Sequence, residues 1–422
     1  MKILIVGNGG REHTLAWKMK QSPLCEKLYC APGNAGTAML AENINIGAED
    51  IGGIVAFAKE KQIDLVVVGP EAPLVEGLVD ELEKEGIRAF GPSKKAAILE
   101  GSKIFTRELL QKYNIPSAEF ASFDNAEKAL EYIEEKGAPI VVKADGLAAG
   151  KGAIVCEKKE EAKNAINEIL VEKKFGESGS KVIIEEKLIG EEASYLVFSD
   201  GKNFLPMVSS QDHKRIYDED KGPNTGGMGA YSPAPIITKE IEDKVIEEII
   251  KPTIDAMEKE GRKYKGVLYA GLMITKDGPK IIEFNCRFGD PEIQALMPRL
   301  NGDIIPILDA CIDEKLGETN ISWKDEACCC VVMASGGYPK SYEKGKEITG
   351  LEKIVGNEIV VFQAGTKEEN GKILTNGGRV LGVSALGKTI QESIDNAYLG
   401  VGKISFEKAY FRKDIGKKAL NR

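Results

Sequence analysis

The sequence predicts a multidomain α/β and α+β protein, with an N-terminal doubly wound parallel sheet, a larger α+β centre and a small strand-rich C-terminal domain. Its 422 residues exceed one ordinary hydrophobic core, so two to four domains are expected. Strand and helix patterns alternate over the first hundred residues, which is typical of a parallel sheet. After Gly101 this alternation gives way to mixed patterns. We therefore predict domains at 1–101, 102–323 and 324–422.

The N-terminal region contains short apolar runs that predict buried strands. They are KILIVG, KLYCAPG, DLVVVGPE and IRAFGP, separated by the helices HTLAWKMKQS, DIGGIVAFAKEK and VEGLVDELEKEG. Gly and Pro follow the strands, so the loops GNGGRE, APGNAG, VGPEAP and FGPS lie at the carboxyl ends. Ligands of open α/β sheets bind at that edge.

The first of these loops runs from Gly7 to Glu12 and begins like a dinucleotide fingerprint, but Glu12 replaces the third glycine. Its glycines free backbone N–H groups to meet an anion at a helix N-terminus. Arg11 offers a bidentate phosphate contact. We favour a phosphate or phosphosugar site, while an NAD site and a structural turn stay open. We expect His13 to be structural.

The central region begins with the helix SKIFTRELLQKY and continues through IPSAEFASF, PIVVKADGLAAGKGAIV, EEAKNAINEIL and KVIIEEKLIG. Its Gly146–Gly152 loop is not a Walker A motif, because three residues separate the first glycines and Gly152 follows Lys151. Two interpretations of this loop stay open: a flexible cover over nucleotide phosphates, and an ordinary hairpin. The glutamates of IIEEKLIGEE favour a solvated face, with a nucleotide contact as the alternative.

The segment from Ser209 to Pro235 shows neither the helical nor the alternating strand period. It holds the charged run DHKR and then four glycines within GPNTGGMG. A segment of that length without periodicity is usually a functional loop or a disordered linker. Strand-rich sequence flanks it on both sides, so we interpret it as an active-site loop that handles anions.

The segment IIEFNCRFGDPE predicts a metal site. On a strand, Glu283 and Asn285 lie two residues apart and face the same side, and Arg287 continues that face. A carboxylate and an amide oxygen suit Mg²⁺, which takes few protein oxygens together with nucleotide phosphates. A half-exposed strand would also alternate, but it would not require Asn and Arg in register with Glu.

Composition narrows the class of protein. Lys and Arg number 57 against 66 Asp and Glu, a net charge of −9 without a basic block, which argues against nucleic acid as partner. Apolar runs stay too short for a membrane span, and the N-terminus predicts a first strand, not a signal peptide. Eight cysteines without C-x-x-C pairs indicate reduced thiols, with ACCCVVMA as a buried strand. We therefore expect a cytoplasmic protein, and its two histidines exclude a histidine-rich metal centre.

These segments in this order resemble the phosphoribosylamine–glycine ligase family of the ATP-grasp superfamily. The resemblance extends over essentially the whole chain and rests on GNGGREH, VGPEAPL, SKIFTR, VVKADGLAAGKG, EEKLIGEEAS, SQDHKR, GPNTGGMGAYSPAP and EFNCRFGDPE. It implies that the central domain is an ATP-grasp fold with a mobile lid at about residues 120–190. It also implies ATP and Mg²⁺, or Mn²⁺, as the cofactors.

The resemblance implies roles for individual residues. The nucleotide would contact Lys103, Lys143, Gly150, Lys151, Gly152, Glu185, Glu186, Leu188 and Glu192. The other substrates would contact Gly9, Gly10, Arg11, Asn34, Glu71, Asp212, Gly289 and Asp290. Glu283 and Asn285 would hold the metal, and the catalytic residues would be Arg287, Lys214 and Asp212.

The activity implied by the resemblance is ATP-dependent ligation of glycine to 5-phosphoribosylamine through glycyl phosphate, in de novo purine biosynthesis. The products would be glycinamide ribonucleotide, ADP and phosphate. Another ATP-grasp ligase, a nicotinamide-dependent oxidoreductase and a non-catalytic nucleotide sensor are the alternatives. We expect small molecules as the only partners, with neither nucleic acid nor membrane, and a monomer or weak dimer.

Overall fold

A parallel sheet forms the N-terminal part of this computed structural model, which describes residues 1–148, 152–356 and 358–420, with only the backbone of residue 177. Its strands are β1 (Lys2–Gly7), β2 (Lys27–Pro32), β3 (Glu42–Asn43), β4 (Leu65–Val68) and β5 (Ala89–Phe90). Its helices are α1 (Gly10–Met19), α2 (Ile51–Lys61), α3 (Glu71–Glu76), α4 (Leu78–Lys84) and α5 (Lys94–Gly101). The strand order β3-β2-β1-β4-β5 reverses between β1 and β4, which opens a ligand crevice at their carboxyl ends. The predicted doubly wound sheet is confirmed.

A second, antiparallel sheet follows the helix α6 (Lys103–Lys112). It contains β6 (Phe120–Phe123), β7 (Ile140–Ala144), β8 (Ala153–Cys156) and β9 (Val182–Glu186), in the order β6-β9-β7-β8. The helices α7 (Ala126–Lys136) and α8 (Lys159–Ile166) accompany it. Residues such as Ile133, Val142 and Ile166 give this sheet a hydrophobic core of its own. A separate core is what a lid needs in order to move as a unit, so the lid at about 120–190 stays our proposal.

Residues 209–235, which we interpreted as a loop because they show no helical or strand period, contain short strands. After β10 (Glu191–Asp200) and β11 (Phe204–Pro206) come four short strands, β12 (Gln211–Asp212), β13 (Arg215–Tyr217), β14 (Lys221–Asn224) and β15 (Gly229–Ser232). The strands β13 and β14 form a hairpin, and β12 pairs with β15. Strands of two to four residues are too short to show an alternating period.

The central sheet is antiparallel, in the order β11-β10-β16-β17. Its long strands β16 (Lys265–Thr275) and β17 (Gly278–Asn285) follow the helices α9 (Lys239–Lys244) and α10 (Lys251–Lys259), which one π-helical turn joins. The register shifts within β17, where Glu283 pairs with Gly271 but Ile281 pairs with Leu272. This bulge lies directly before Glu283, and bulges re-aim side chains near active sites.

The chain then passes through α11 (Glu292–Leu296), β18 (Leu300–Asn301), α12 (Ile305–Ile312) and β19 (Ser322–Trp323) to the C-terminal sheet. The remaining strands are β20 (Ala327–Ala334), β21 (Ile359–Gln363), β22 (Thr366–Glu369), β23 (Lys372–Thr375) and β24 (Arg379–Gly387), followed by the helices α13 (Ile390–Val401) and α14 (Lys417–Leu420). The sheet order is β12-β15-β20-β24-β21, so it takes two strands from the 211–232 segment. The predicted buried strand at Cys328–Cys330 is confirmed. Among the described residues, no helix is both long and apolar enough to cross a membrane.

Candidate active site

The carboxylate of Glu283 lies at the centre of a group of cations. The Nζ atom of Lys214 lies 3.4 Å from Oε1 of Glu283. Lys214 is the main cause that lowers the pKa of Glu283 to about 2, against the effect of burial, and Lys143, Lys103 and Arg287 add to it. Asn285 follows two residues later on β17 and is buried. The structure thus places the two predicted metal ligands on one strand, among positive charges.

Lys143 reaches this centre from β7 of the sheet β6-β9-β7-β8, the proposed lid sheet. Its Nζ lies 2.8 Å from Oε2 of Glu185 and donates to the carbonyl of Ile282 at the β17 bulge (3.2 Å). Arg107, from α6, binds the same carboxylate through Nε (2.6 Å) and Nη2 (3.0 Å), and Nη2 also donates to the Ile282 carbonyl (2.5 Å). Burial alone would raise the pKa of Glu185, but Lys143 and Arg107 lower it. This buried network ties α6 and the proposed lid sheet to the strand that carries Glu283.

The start of the Gly146–Gly152 loop is fastened to the N-terminus of α6. Oδ1 of Asp145 accepts from the backbone N–H of Ile104 (3.1 Å) and from the hydroxyl of Ser102 (3.2 Å). The Nζ of Lys103 donates to the Gly146 carbonyl (2.5 Å), and burial lowers the pKa of Lys103. Gly152 precedes β8, while the predicted nucleotide contacts Gly150 and Lys151 lie outside the described residues.

The other predicted nucleotide contacts lie along β9 and at the start of β10. Glu185 is 4% exposed and paired as above, so the favoured solvated face is wrong for this residue. Glu186 is half-buried and accepts from the Glu119 N–H (3.2 Å). Leu188 is half-buried just beyond β9. Glu192 is exposed, with a carboxylate oxygen 3.5 Å from the Nζ of Lys214.

A buried acidic cluster adjoins Lys214. Burial raises the pKa of Asp212 to about 8, although Lys214 opposes the rise. Glu292 lies close enough to raise it further, and its Oε1 accepts from the Tyr269 hydroxyl (2.7 Å). The Ser194 hydroxyl lies 2.8 Å from that of Tyr269. Sequence reasoning did not select Glu292, although it is the glutamate of the GDPE segment that we noted.

Arg287 connects the central strand to the N-terminal domain. Its guanidinium binds Glu71 through Nε (3.2 Å) and Glu100 through Nη2 (3.2 Å). Burial would raise the pKa of Glu71, but Arg287 and Arg11 lower it to about 2. The strand β17 ends at Asn285, so the predicted alternation does not extend to Arg287. The positive charge of Arg287 nevertheless helps to lower the pKa of Glu283.

The loop after β1 is built around Glu12. Its carboxylate accepts from the Gly9 N–H (2.5 Å) and from Nε of Arg11 (2.6 Å). A Cβ at Gly7 would lie 2.6 Å from the Glu12 side chain, so this carboxylate fills the space between the glycine turns. That explains why glutamate replaces the third glycine, and it disfavours the NAD alternative. The phosphate contact predicted for Arg11 stays a prediction; its Nε pairs with Glu12 and its Nη1 donates to the carbonyl of Phe288 (3.3 Å).

Asn34 and His13 bind the loops at the carboxyl edge of the N-terminal sheet to the C-terminal domain. The Asn34 amide donates to the carbonyls of Asn8 (2.9 Å) and Gln363 (2.9 Å), and its oxygen accepts from two backbone N–H groups. Nδ1 of His13 accepts from the Gln363 N–H (2.8 Å), and burial lowers the pKa of His13 to about 4. The structural role expected for His13 agrees with this geometry. A Cβ at Gly9 would lie 3.3 Å from Oδ2 of Asp290, which accepts from the Arg11 N–H (3.2 Å), and a Cβ at Gly10 would lie 2.5 Å from Nε2 of Gln294. Gly289 precedes Asp290, and a Cβ there would collide with the Glu292 carboxylate.

The donor set fits a divalent cation held by few protein ligands. Within the described part of the chain, no three or more His, Cys, Asp or Glu side chains are grouped so that they could hold a metal ion. Glu283 is ionised at neutral pH and its side chain is 40% exposed, so it can bind a cation while phosphates complete the coordination. Lysines 103, 143 and 214 can then neutralise those phosphates.

Comparison with known proteins gives matches over the whole chain. Residues 1–100, 101–293 and 328–418 match the N domain, the ATP-grasp (A) domain and the C domain described for phosphoribosylglycinamide synthetase. The chain is 54% identical to the phosphoribosylamine–glycine ligase of Vibrio parahaemolyticus over 425 aligned positions, covering 100% of this chain and 99% of that protein. It is similar to the crystal structure of phosphoribosylamine–glycine ligase from Thermotoga maritima, with a TM-score of 0.85 and 33% identity over 98% of this chain and 100% of that one. A biotin carboxylase from Campylobacter jejuni shares the fold alone, with a TM-score of 0.74 and 15% identity over 100% of this chain and 95% of that one.

Proposed function

This chain belongs to the phosphoribosylglycinamide synthetase family, and from that membership we propose that its cleft joins glycine to 5-phosphoribosylamine through glycyl phosphate. ATP becomes ADP and phosphate, and the product is glycinamide ribonucleotide, an intermediate of purine biosynthesis. The observation that carries the proposal is the ionised Glu283 surrounded by Lys103, Lys143 and Lys214. Such a centre suits a metal–triphosphate, and Arg287, two residues after Asn285, binds Glu71 (3.2 Å) in the VGPEAP loop of the N-terminal sheet, one of the loops to which we assign the phosphosugar.

Glu283 and Asn285 would hold the divalent metal, with Mg²⁺ as our choice and Mn²⁺ as the alternative. When bound, the metal neutralises phosphate charge and orients the triphosphate. The lysines supply the rest of the positive charge from fixed positions on α6, β7 and the loop after β12. Because these cations are held before the substrate arrives, little reorganisation is needed in the transition state.

In the first step, a carboxylate oxygen of glycine attacks the γ-phosphorus of ATP, and the bond to the bridging oxygen of ADP breaks. Lys143 and Lys214 stabilise the charge on the transferred phosphoryl group, as positioned cations do in phosphoryl transfer. Asp212 receives the ammonium of glycine. An ammonium partner favours the ionised carboxylate, which offsets the burial that raises the pKa of Asp212.

In the second step, the amine nitrogen of phosphoribosylamine attacks the carbonyl carbon of glycyl phosphate. The C–O bond to phosphate breaks, inorganic phosphate leaves, and the nitrogen loses one proton. The crevice between β1 and β4 holds the phosphoribosyl group through Gly9, Gly10 and Asp290. Acyl phosphates hydrolyse readily in water, so the lid sheet protects the intermediate.

The experiment is ADP release from the purified protein with Mg²⁺-ATP, adding glycine and freshly made phosphoribosylamine singly and together. We expect ADP in quantity only with both, matched one-for-one by the mass of glycinamide ribonucleotide. ADP formation that is indifferent to glycine or to the amine would reject the substrate assignment and favour another ligase. Binding of ATP without any turnover would favour a nucleotide sensor.

A further inference from the structure

Arg379, the first residue of β24, reaches from the C-terminal sheet into the proposed site. Its Nη1 donates to the carbonyl of Gly226 (2.6 Å) and to the carbonyl of Asp290 (2.5 Å). The same atom lies 3.3 Å from Oδ1 of Asp290, and the Arg379 side chain is 22% exposed. One guanidinium therefore binds two separate segments, GPNTGG and GDPE, both of which we assigned to the site from the sequence.

Asp290 extends this contact to the N-terminal domain. Its Oδ2 accepts from the backbone N–H of Arg11 in the first turn of α1 (3.2 Å). Its Oδ1 also accepts from Nε2 of Gln294 (2.8 Å). Burial would raise the pKa of Asp290, but Arg379 and Arg11 lower it, so the carboxylate is ionised. Through Asp290, Arg379 is coupled to the glycine loop after β1.

Two glycines provide the space that this contact needs. A Cβ at Gly226 would lie 3.0 Å from Cζ of Arg379. A Cβ at Gly227 would collide with Cδ of Pro291, and its φ of +112° is one that few other residues adopt. The hydroxyl of Tyr338, also from the C-terminal domain, accepts from the Gly226 N–H (3.0 Å). The close approach of the Arg379 guanidinium to the glycine segment therefore depends on the two glycines and on Tyr338 of the C-terminal domain.

We propose that Arg379 is a positioning residue for the amine half of the reaction, holding residues 226–227 and 290 so that the phosphoribosylamine subsite is complete. This inference rests on the proposed function of the same cleft. In the described part of the chain, the bonds of Arg379 do not reach the lysines around Glu283. Its loss should therefore impair use of the amine and leave phosphoryl transfer to glycine intact.

The two halves can be measured separately. Full turnover is followed with phosphoribosylamine varied, and glycyl phosphate formation is followed by replacing the amine with hydroxylamine and measuring glycine hydroxamate. For Arg379→Lys we expect the KM for phosphoribosylamine to rise about tenfold, as when one charge-assisted hydrogen bond is lost. We expect the hydroxamate rate to stay within about twofold of the unmodified protein. Equal losses in both assays, or no change in either, would overturn the inference.

A second variant tests the same contact if Arg379→Lys does not fold. Gly226→Ala keeps every charge, but its methyl group displaces the guanidinium, and it should raise the same KM selectively. Arg412→Lys is the control, because Arg412 is also a C-terminal arginine in ion pairs, with Asp414 (2.7 Å) and Asp220 (2.9 Å). It should leave the ratio of the two rates unchanged, and a similar shift in that ratio would contradict a specific role for Arg379. If the unmodified protein releases no ADP with glycine and phosphoribosylamine together, the proposed function fails, whatever the variants show.

Discussion

Glu283 is the residue on which the metal assignment depends. Glu283→Gln keeps the shape of the side chain but removes the charge, and it leaves Lys214 without its closer carboxylate. We expect turnover with both substrates to fall at least about a hundredfold, while the thermal unfolding midpoint changes little because the side chain is partly exposed. ADP release and thermal unfolding measure the two effects.

The control for Glu283 is Glu260→Gln, a carboxylate outside the cleft that binds Lys112 (2.6 Å). It should leave turnover unaffected. Near-normal turnover of Glu283→Gln at saturating metal would remove this residue from the metal site.

Asp212 should make the use of glycine depend on pH. Burial raises the pKa of Asp212 to about 8, so at neutral pH most of this carboxyl is protonated and cannot form an ion pair with an ammonium. As pH rises from about 7 to about 8.5, the carboxylate forms and the KM for glycine should fall. The same shift has the opposite effect on folding: its contribution to stability is present below the ordinary pKa of 3.8 and is lost as pH rises through about 8.

Asp212→Asn removes this titration. We expect a higher KM for glycine that no longer falls over the same pH range, with the KM for ATP little changed. Steady-state kinetics at several pH values provide the measurement. A variant whose glycine dependence matches that of the unmodified protein would reject the role in ammonium binding.

At the residue scale, the sequence predicts which functional side chains lie near each other on one strand better than it predicts the distant residues that they contact. Glu283 and Asn285 are two apart on one strand, and that local spacing was enough to place them together. The substrate contacts predicted for Arg11 and Asn34 stay predictions, but the sequence did not indicate that these side chains also bind the carbonyls of Phe288 (3.3 Å) and Gln363 (2.9 Å), respectively. Those partners lie more than two hundred positions away along the chain. A local sequence pattern cannot predict a contact between residues so far apart, because that contact depends on how the domains pack.

At the element scale, the long periodic elements were predictable and the short ones were not. The helices and strands of the N-terminal domain bury whole faces, so their periods are visible in the sequence. The strands β12 to β15 owe their conformation to the C-terminal sheet and to one hairpin. The bulge at Glu283 was equally hidden, because one extra residue does not disturb the apolar pattern enough to be recognised.

The capping contact of α6 should control how well the lid protects the intermediate. Asp145→Asn weakens the bonds to the Ile104 N–H and the Ser102 hydroxyl, and so loosens the start of the Gly146–Gly152 loop. We expect more ADP formed per glycinamide ribonucleotide, because water then competes with the amine for glycyl phosphate. The ratio of the two products is the measurement.

Asp50→Asn is the matched control for the lid prediction. Asp50 caps α2 by accepting from the Gly53 N–H (2.9 Å), far from the lid sheet. Weakening either cap should cost about 1 kcal/mol or less of stability, but only Asp145→Asn should uncouple ATP use from product. Equal product ratios in both variants would show that this contact does not govern the lid.

At the scale of the whole molecule, the site is assembled from four sheets. The N-terminal sheet supplies the glycine loop and Glu71, the lid and central sheets supply Lys143 and Glu283, and the C-terminal sheet supplies Arg379. The order of these parts along the chain was predictable, but the junction at Asp290 was not, because each of its partners comes from a different domain. The domain limits and the monomer or weak dimer remain predictions.

Because the cleft spans the lid and central sheets, Mg²⁺-ATP should stabilise the whole molecule. A ligand that binds only the folded protein at about a hundred times its Kd adds about 2.7 kcal/mol to the free energy of unfolding. For a chain of 422 residues this should raise the thermal unfolding midpoint by a few degrees. EDTA should abolish most of the shift, and Glu283→Gln should reduce it at equal metal concentration, because both weaken the bridge between triphosphate and protein.

Repeating the titration with Mn²⁺ ranks the two metals by the concentration that gives half the shift. A shift by ATP that is insensitive to EDTA and equal in Glu283→Gln would mean that the lysines alone hold the nucleotide, and that Glu283 and Asn285 are not its metal ligands.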